Sequence, residues 1–120
     1  MTRFWNHGFD THDKPAFAYA LSLVGSKSRG RVRLRNADPK APVAVKFNYF
    51  AERADMDSMV AGIERAREAA AYAKLRPVTT TELHPGAGVG PRAELEAEIR
   101  RNVEHTYHPS CTARIGTEAD

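Results

Sequence analysis

Apolar and polar positions follow two periods along this chain, first two and then between three and four. From Ala16 to Val24 the residues are almost all aromatic, aliphatic or small, and Pro15 and Gly25 bound them. That run predicts a strand buried on at least one face. Gly25-Ser26-Lys27-Ser28 turns the chain, after which Arg29, Arg31, Arg33 and Arg35 alternate with Gly30, Val32 and Leu34. A strand here sends the arginines to one face and the apolar residues to the other. Asn36-Ala37-Asp38-Pro39 carries turn chemistry, and a second strand-like run follows from Val43 to Phe50.

Near Asp55 the period lengthens. Met56, Met59, Val60, Ile63, Ala66 and Ala70 recur at spacings of three and four, which predicts a helix near residues 55 to 75 with Asp55 or Asp57 as its cap. Glu64, Arg65, Arg67 and Glu68 then form a solvated opposite face. Pro77 ends this region, and a threonine- and glycine-rich loop runs from Val78 to Gly90. A second helix is predicted from Pro91, its first residue, to about residue 105, with Leu95, Ile99 and Val103 as its buried stripe. Its early glutamates and late Arg100 and Arg101 suit the helix dipole. Residues 1–15 show no period and read as an irregular N-terminal segment ahead of a unit spanning 16–120. The expected fold class is α+β: a small antiparallel sheet covered by two main helices.

Composition narrows the function classes. The 120 residues suffice for one domain, and 42% hydrophobic with 28% charged residues is the balance of a globular chain. Mean hydropathy is -0.54, and no apolar run is long enough to span a membrane as a helix. A net charge of +3 is too small an excess to imply nucleic acid. One cysteine, Cys111, excludes an internal disulfide and fits a reducing, cytoplasmic setting. The arginine row reads as a solvated or domain-contacting sheet face ahead of a phosphate stripe, because no exposed aromatics interleave for stacking.

The chemistry concentrates near the C-terminus, in Tyr107-His108-Pro109-Ser110-Cys111-Thr112. Pro109 disfavours helical geometry at His108, so the second helix is expected to stop there and present the histidine at its end. Imidazole titrates near neutrality and serves as a general acid or base. His105, His108 and Cys111 recur every third residue, but Pro109 breaks the alignment that three metal ligands would need. Cys111 as a nucleophile activated by His108 is the other local reading, against which an inert cysteine is the commoner case. Gly86-Ala87-Gly88-Val89-Gly90 lacks the preceding strand and the glycine spacing of a dinucleotide site.

Taken in order, Ser28-Arg29-Gly30-Arg31-Val32-Arg33-Leu34-Arg35-Asn36-Ala37-Asp38-Pro39, Pro42, Asn48-Tyr49, two helices, and Tyr107-His108-Pro109 with Thr112, Arg114 and Gly116 resemble the C-terminal region of glucose-methanol-choline (GMC) oxidoreductases. The resemblance covers nearly all of residues 16 to 117. It implies the substrate-binding part of an FAD-dependent enzyme that oxidises a small-molecule alcohol, oxidase or dehydrogenase. On that resemblance His108 is the catalytic acid/base in front of the flavin, and Tyr107 lines the substrate pocket. Cys111 stands where the family usually has glycine, Ala113 and Ile115 where cysteine and methionine are frequent, and Lys46-Phe47 where aspartate and proline often precede Asn48-Tyr49.

The family's glycine-rich flavin-binding region has no counterpart in the sequence, and the chain reaches Asp120 before the family's second active-site His or Asn. The expectation is therefore a C-terminal fragment or one part of a split enzyme, inactive alone, whose partner is the missing flavin-binding region or chain. An uncovered edge or apolar face would then favour association with that partner or with itself. The competing class is a non-catalytic interaction module that uses the basic strand face.

Overall fold

The computed structural model describes residues 2–5, 10–108, 111–112 and 115–117. Pro109, Ser110, Ala113 and Arg114, all named in the C-terminal motif, lie outside the described residues. Two helices carry the core. Helix α1 spans Arg53–Ala71 and α2 spans Arg92–Asn102. Met56 and Val60 of α1 meet Leu95 and Ile99 of α2 around Phe50, and these five form the buried apolar core of the described residues. Met59, Ile63, Val89 and Val103 pack against its margin.

The helix limits differ from the periodic reading at both α1 ends. Glu52, with extended backbone, occupies the N-cap position, and Asp55 lies inside the first turn. Asp55 therefore does not cap its own helix; its buried carboxylate reaches the loop at residues 26–28. Helix α1 stops at Ala71, short of residue 75, where Tyr72 adopts φ −59° and ψ 141°. The chain then curls through turns and returns, and Thr79 Oγ1 donates to the Ala70 carbonyl at 3.0 Å. Pro91 precedes α2 as its N-cap instead of being its first helical residue, and its carbonyl accepts the amides of Glu94 and Leu95.

Arg67 departs from its expected solvated role. Its guanidinium donates through Nε and Nη2 to both oxygens of Glu82 and through Nη2 to the carbonyls of Gly86 and Val89 at 3.2 and 3.0 Å. The planar five-donor fork makes this possible, and it fastens the loop before α2 onto α1. Across the helix pair, Arg53 grips both oxygens of Glu96 at 2.9 and 2.6 Å and Arg92 bonds Asp57, while Arg92 also bonds Glu96 within α2. Arg53 and Arg92 hold the Glu96 carboxyl below the usual carboxylate range. These pairs are largely exposed, so they set the helix register more than they add stability.

Among the described residues, four short strands pair in two ribbons. Strand β1 (Thr2–Trp5) runs antiparallel to β2 (Asp10–His12), so part of the N-terminal segment expected to be irregular is paired. Strand β3 (Arg31–Arg33) runs antiparallel to β4 (Ala44–Lys46), with Arg31 opposite Lys46, Val32 opposite Val45 and Arg33 opposite Ala44. Between them Asn36 and Asp38 each accept an amide two residues on, the local bonding that makes these residues turn formers. Residues 16–24 form no strand. Phe17 and Tyr19 meet edge to face at 5.5 Å, but no second strand lies beside this segment among the described residues to complete a ladder.

The packing is open for the chain length. The Cα radius of gyration is 18.3 Å, against about 13.5 Å for a compact chain of this size. The accessible surface is 9890 Å², whereas a monomer of this mass ordinarily exposes about 6,500 Å². Val32 and Val45, paired on the face opposite the arginines, remain 43% and 51% exposed. No described helix is long and apolar enough to cross a membrane.

Candidate active site

The site is organised by one close approach of backbone and one buried carboxylate. A Cβ at Gly30 would lie 2.3 Å from the Lys46 carbonyl oxygen and 2.7 Å from that of Phe47. Only glycine admits this contact, because both opposing atoms are main chain and cannot move aside cheaply. Just beyond, Asn48 takes φ 59°, a left-handed conformation that asparagine tolerates, and its Nδ2 donates to the Arg29 carbonyl at 3.1 Å. The Ser28-Arg29-Gly30 and Asn48-Tyr49 motifs, distant in sequence, are thus bonded neighbours.

The second anchor is Asp55. Its carboxylate accepts the Lys27 amide at 2.7 Å, the Ser28 amide at 2.7 Å and the Ser26 hydroxyl at 2.9 Å. In return Ser28 Oγ accepts the Glu52 amide at 3.0 Å, so loop and helix start satisfy each other's polar groups. The Lys27 amide foremost, with Ser28 and Ser26, holds the Asp55 carboxyl far below the usual carboxylate range. Burial opposes this shift and loses to the hydrogen bonds.

Helix α2 does not reach Tyr107. It ends at Asn102, whose Nδ2 donates to the Glu98 carbonyl at 2.9 Å, and Val103 is already extended at φ −65° and ψ 129°. Val103 leaves the helix to pack its side chain on the core margin, so His108 sits on a connecting segment and not at a helix end. Along that segment the His105 ring lies nearly parallel to Phe47, 6.3 Å between centroids, and meets the Tyr107 ring edge-on at 4.6 Å. Phe47 in turn stacks on Tyr49 at 5.2 Å. Tyr107 takes φ 60°, and its amide donates to His105 Nδ1 at 3.2 Å. Tyr107 is 67% exposed, and His108 is exposed beside it.

The structure thus links the segment carrying Tyr107 and His108 to the Gly30/Asn48 junction through Phe47 and His105. Cys111 is exposed and also has a left-handed backbone, φ 69°. Among the described residues no group of three His, Cys, Asp or Glu side chains is placed to hold a metal ion. Sequence reasoning missed Asp55 as a loop anchor, together with His105 and Phe47 as the bridge. For Asp55 the available signal was an acidic residue in a first helical turn with a Ser-Lys-Ser loop elsewhere to receive it.

The residues present do not fit a flavin on their own. The Val89 amide is already committed to the Gly86 carbonyl and the Gly90 amide to that of Gly88, while Arg67 occupies the carbonyls of Gly86 and Val89. A turn precedes this loop, where a phosphate cradle would follow a strand with its amides open. The groove between β3 and β4 is lined by Arg31, Arg33, Ala44, Val45 and Lys46, and is basic but shallow.

The family model described as GMC oxidoreductase matches residues 26–120. An oxygen-dependent choline dehydrogenase of Pseudomonas aeruginosa (strain LESB58) is 34% identical over 112 residues, covering 93% of this chain and 18% of that protein. The protein of the same name from Rhizobium johnstonii is 36% identical over 115 residues, 96% of this chain and 20% of the relative. The one from Yersinia pseudotuberculosis serotype IB (strain PB1/+) is 34% identical, with 93% and 18% covered. The chain spans about a fifth of the length of these curated relatives. The matched region runs from the loop held by Asp55 through Gly30, Asn48 and both helices to the His108 segment, and the chain therefore belongs to the GMC oxidoreductase family.

Proposed function

We propose that this chain is the C-terminal, substrate-side portion of an FAD-dependent alcohol-oxidising enzyme in which His108 acts as acid/base. The observation that carries the reading is the joining of Gly30, Asn48 and the Tyr107-His108 segment into one connected structure. The relatives are named for choline, and a small-molecule alcohol is the substrate class taken from them. Alcohol oxidation removes a hydroxyl proton and a hydride. A neutral imidazole at His108 takes the proton, and Tyr107 lines the space beside it. FAD supplies the hydride acceptor in this chemistry and is held mainly by a region outside this chain.

The surface in excess of a compact monomer, together with exposed Val32 and Val45, supports a flavin-binding region or chain as the covering partner. Co-expression with that region, followed by purification and a visible absorption spectrum, tests the reading. An oxidised-flavin spectrum that requires both pieces is expected. A colourless, monomeric chain that ignores the flavin-binding piece would overturn it. The groove containing Arg31, Arg33 and Lys46 favours a second reading, a non-catalytic module for an acidic partner. Loss of partner binding on charge reversal of Arg31 and Arg33, with no flavin in the assembly, selects that one.

A further inference from the structure

We infer that His105 is a positioning residue: its ring fixes the backbone turn from which Tyr107 and His108 are presented. The inference rests on the acid/base reading of His108 for its catalytic consequence, but not for its geometry. Helix α2 has ended at Asn102, so no helical hydrogen bond governs the direction of the chain beyond Val103. Tyr107 nevertheless holds φ 60°, a left-handed conformation that residues with a side chain adopt only at a cost. Something local must offset it.

His105 supplies what the turn needs in two ways. Its Nδ1 accepts the Tyr107 amide at 3.2 Å, the same bond to residue i+2 by which asparagine and aspartate close turns. Nδ1 can accept this amide only in the tautomer that carries its proton on Nε2. The ring is also held from both sides, edge-on by Tyr107 at 4.6 Å and nearly parallel to Phe47 at 6.3 Å. Phe47 belongs to the backbone stretch whose carbonyls press on Gly30. The orientation of the turn is thereby referred to the β3–β4 ribbon, and a misdirected His108 would lose catalytic geometry without losing the fold.

The test has two arms. In the 120-residue chain, nitrogen-15 NMR of the imidazole should show His105 as the Nε2–H tautomer with Nδ1 coupled to the Tyr107 amide. An Nδ1–H tautomer would overturn the inference without any variant. In the flavoprotein containing this chain, His105→Phe keeps a ring but removes the acceptor, and His105→Asn restores an acceptor for residue i+2. The expected result is a kcat about tenfold lower in the first with little change in KM, recovered to within about threefold in the second. If both variants turn over like wild type while His108→Ala abolishes turnover, the positioning role is wrong and the acid/base reading stands. If His108→Ala is harmless, both fall.

Discussion

Asp55 accepts the backbone amide of Lys27 at 2.7 Å, joining the first turn of α1 to a loop that lies far earlier in the chain. With the Ser28 amide and Ser26 hydroxyl on the same carboxylate, one buried side chain gathers three donors from that loop. Asp55→Ala leaves two amides without their acceptor beside the core and is expected to lower the thermal midpoint by roughly 10 °C. The carboxyl is held below its unfolded value, so its contribution to stability is present above the unfolded pKa and is lost as pH falls toward the folded one. Thermal scans between pH 7 and 3 should therefore show wild type losing stability in acid more steeply than Asp55→Asn, whose side chain does not titrate.

Gly30→Ala should disrupt the site from a distance. The added Cβ meets two main-chain carbonyl oxygens, so the β3–β4 ribbon must shift and the Asn48 bond to Arg29 must stretch. Loss of the cross-strand amide contacts between Val32 and Val45 in NMR spectra, with retained helical circular dichroism, is the expected result.

Arg67→Lys tests whether charge or fork geometry holds the loop before α2. A lysine ammonium cannot serve both Glu82 oxygens and two carbonyls together, so the loop at residues 82–90 should exchange its amides faster and be cleaved sooner in limited proteolysis. Arg67→Ala should behave similarly.

The core is small, and Met56 at its centre is fully buried. Met56→Ala should cost about 2–5 kcal/mol, read from chemical denaturation, because few other apolar contacts can close the cavity.

Residue pattern alone made some of this legible. Leu95 and Ile99 face the core as their spacing predicts, since helical periodicity is a local property, whereas Val103 reaches the core margin only after the helix has ended. The turn at Asn36 and Asp38 likewise forms from the side chains' own bonds. What failed was non-local. The run 16–24 has strand composition, yet a strand needs a neighbour, and none lies beside it among the described residues. Pro109 is the stop that the sequence suggests for the second helix, but the chain leaves that helix earlier, at Val103. Arg67 resembles any solvated helix arginine until the loop folds back on it.

The proposed role of His108 as the acid/base of an alcohol-oxidising flavoprotein is open to a direct kinetic test. The most direct measurement is the kcat/KM for alcohol oxidation by the flavoprotein containing this chain, in wild type and in His108→Ala, with the flavin spectrum recorded for each. A loss of about 10²–10⁴-fold with the flavin content unchanged is expected. Turnover equal to wild type in the variant would contradict it.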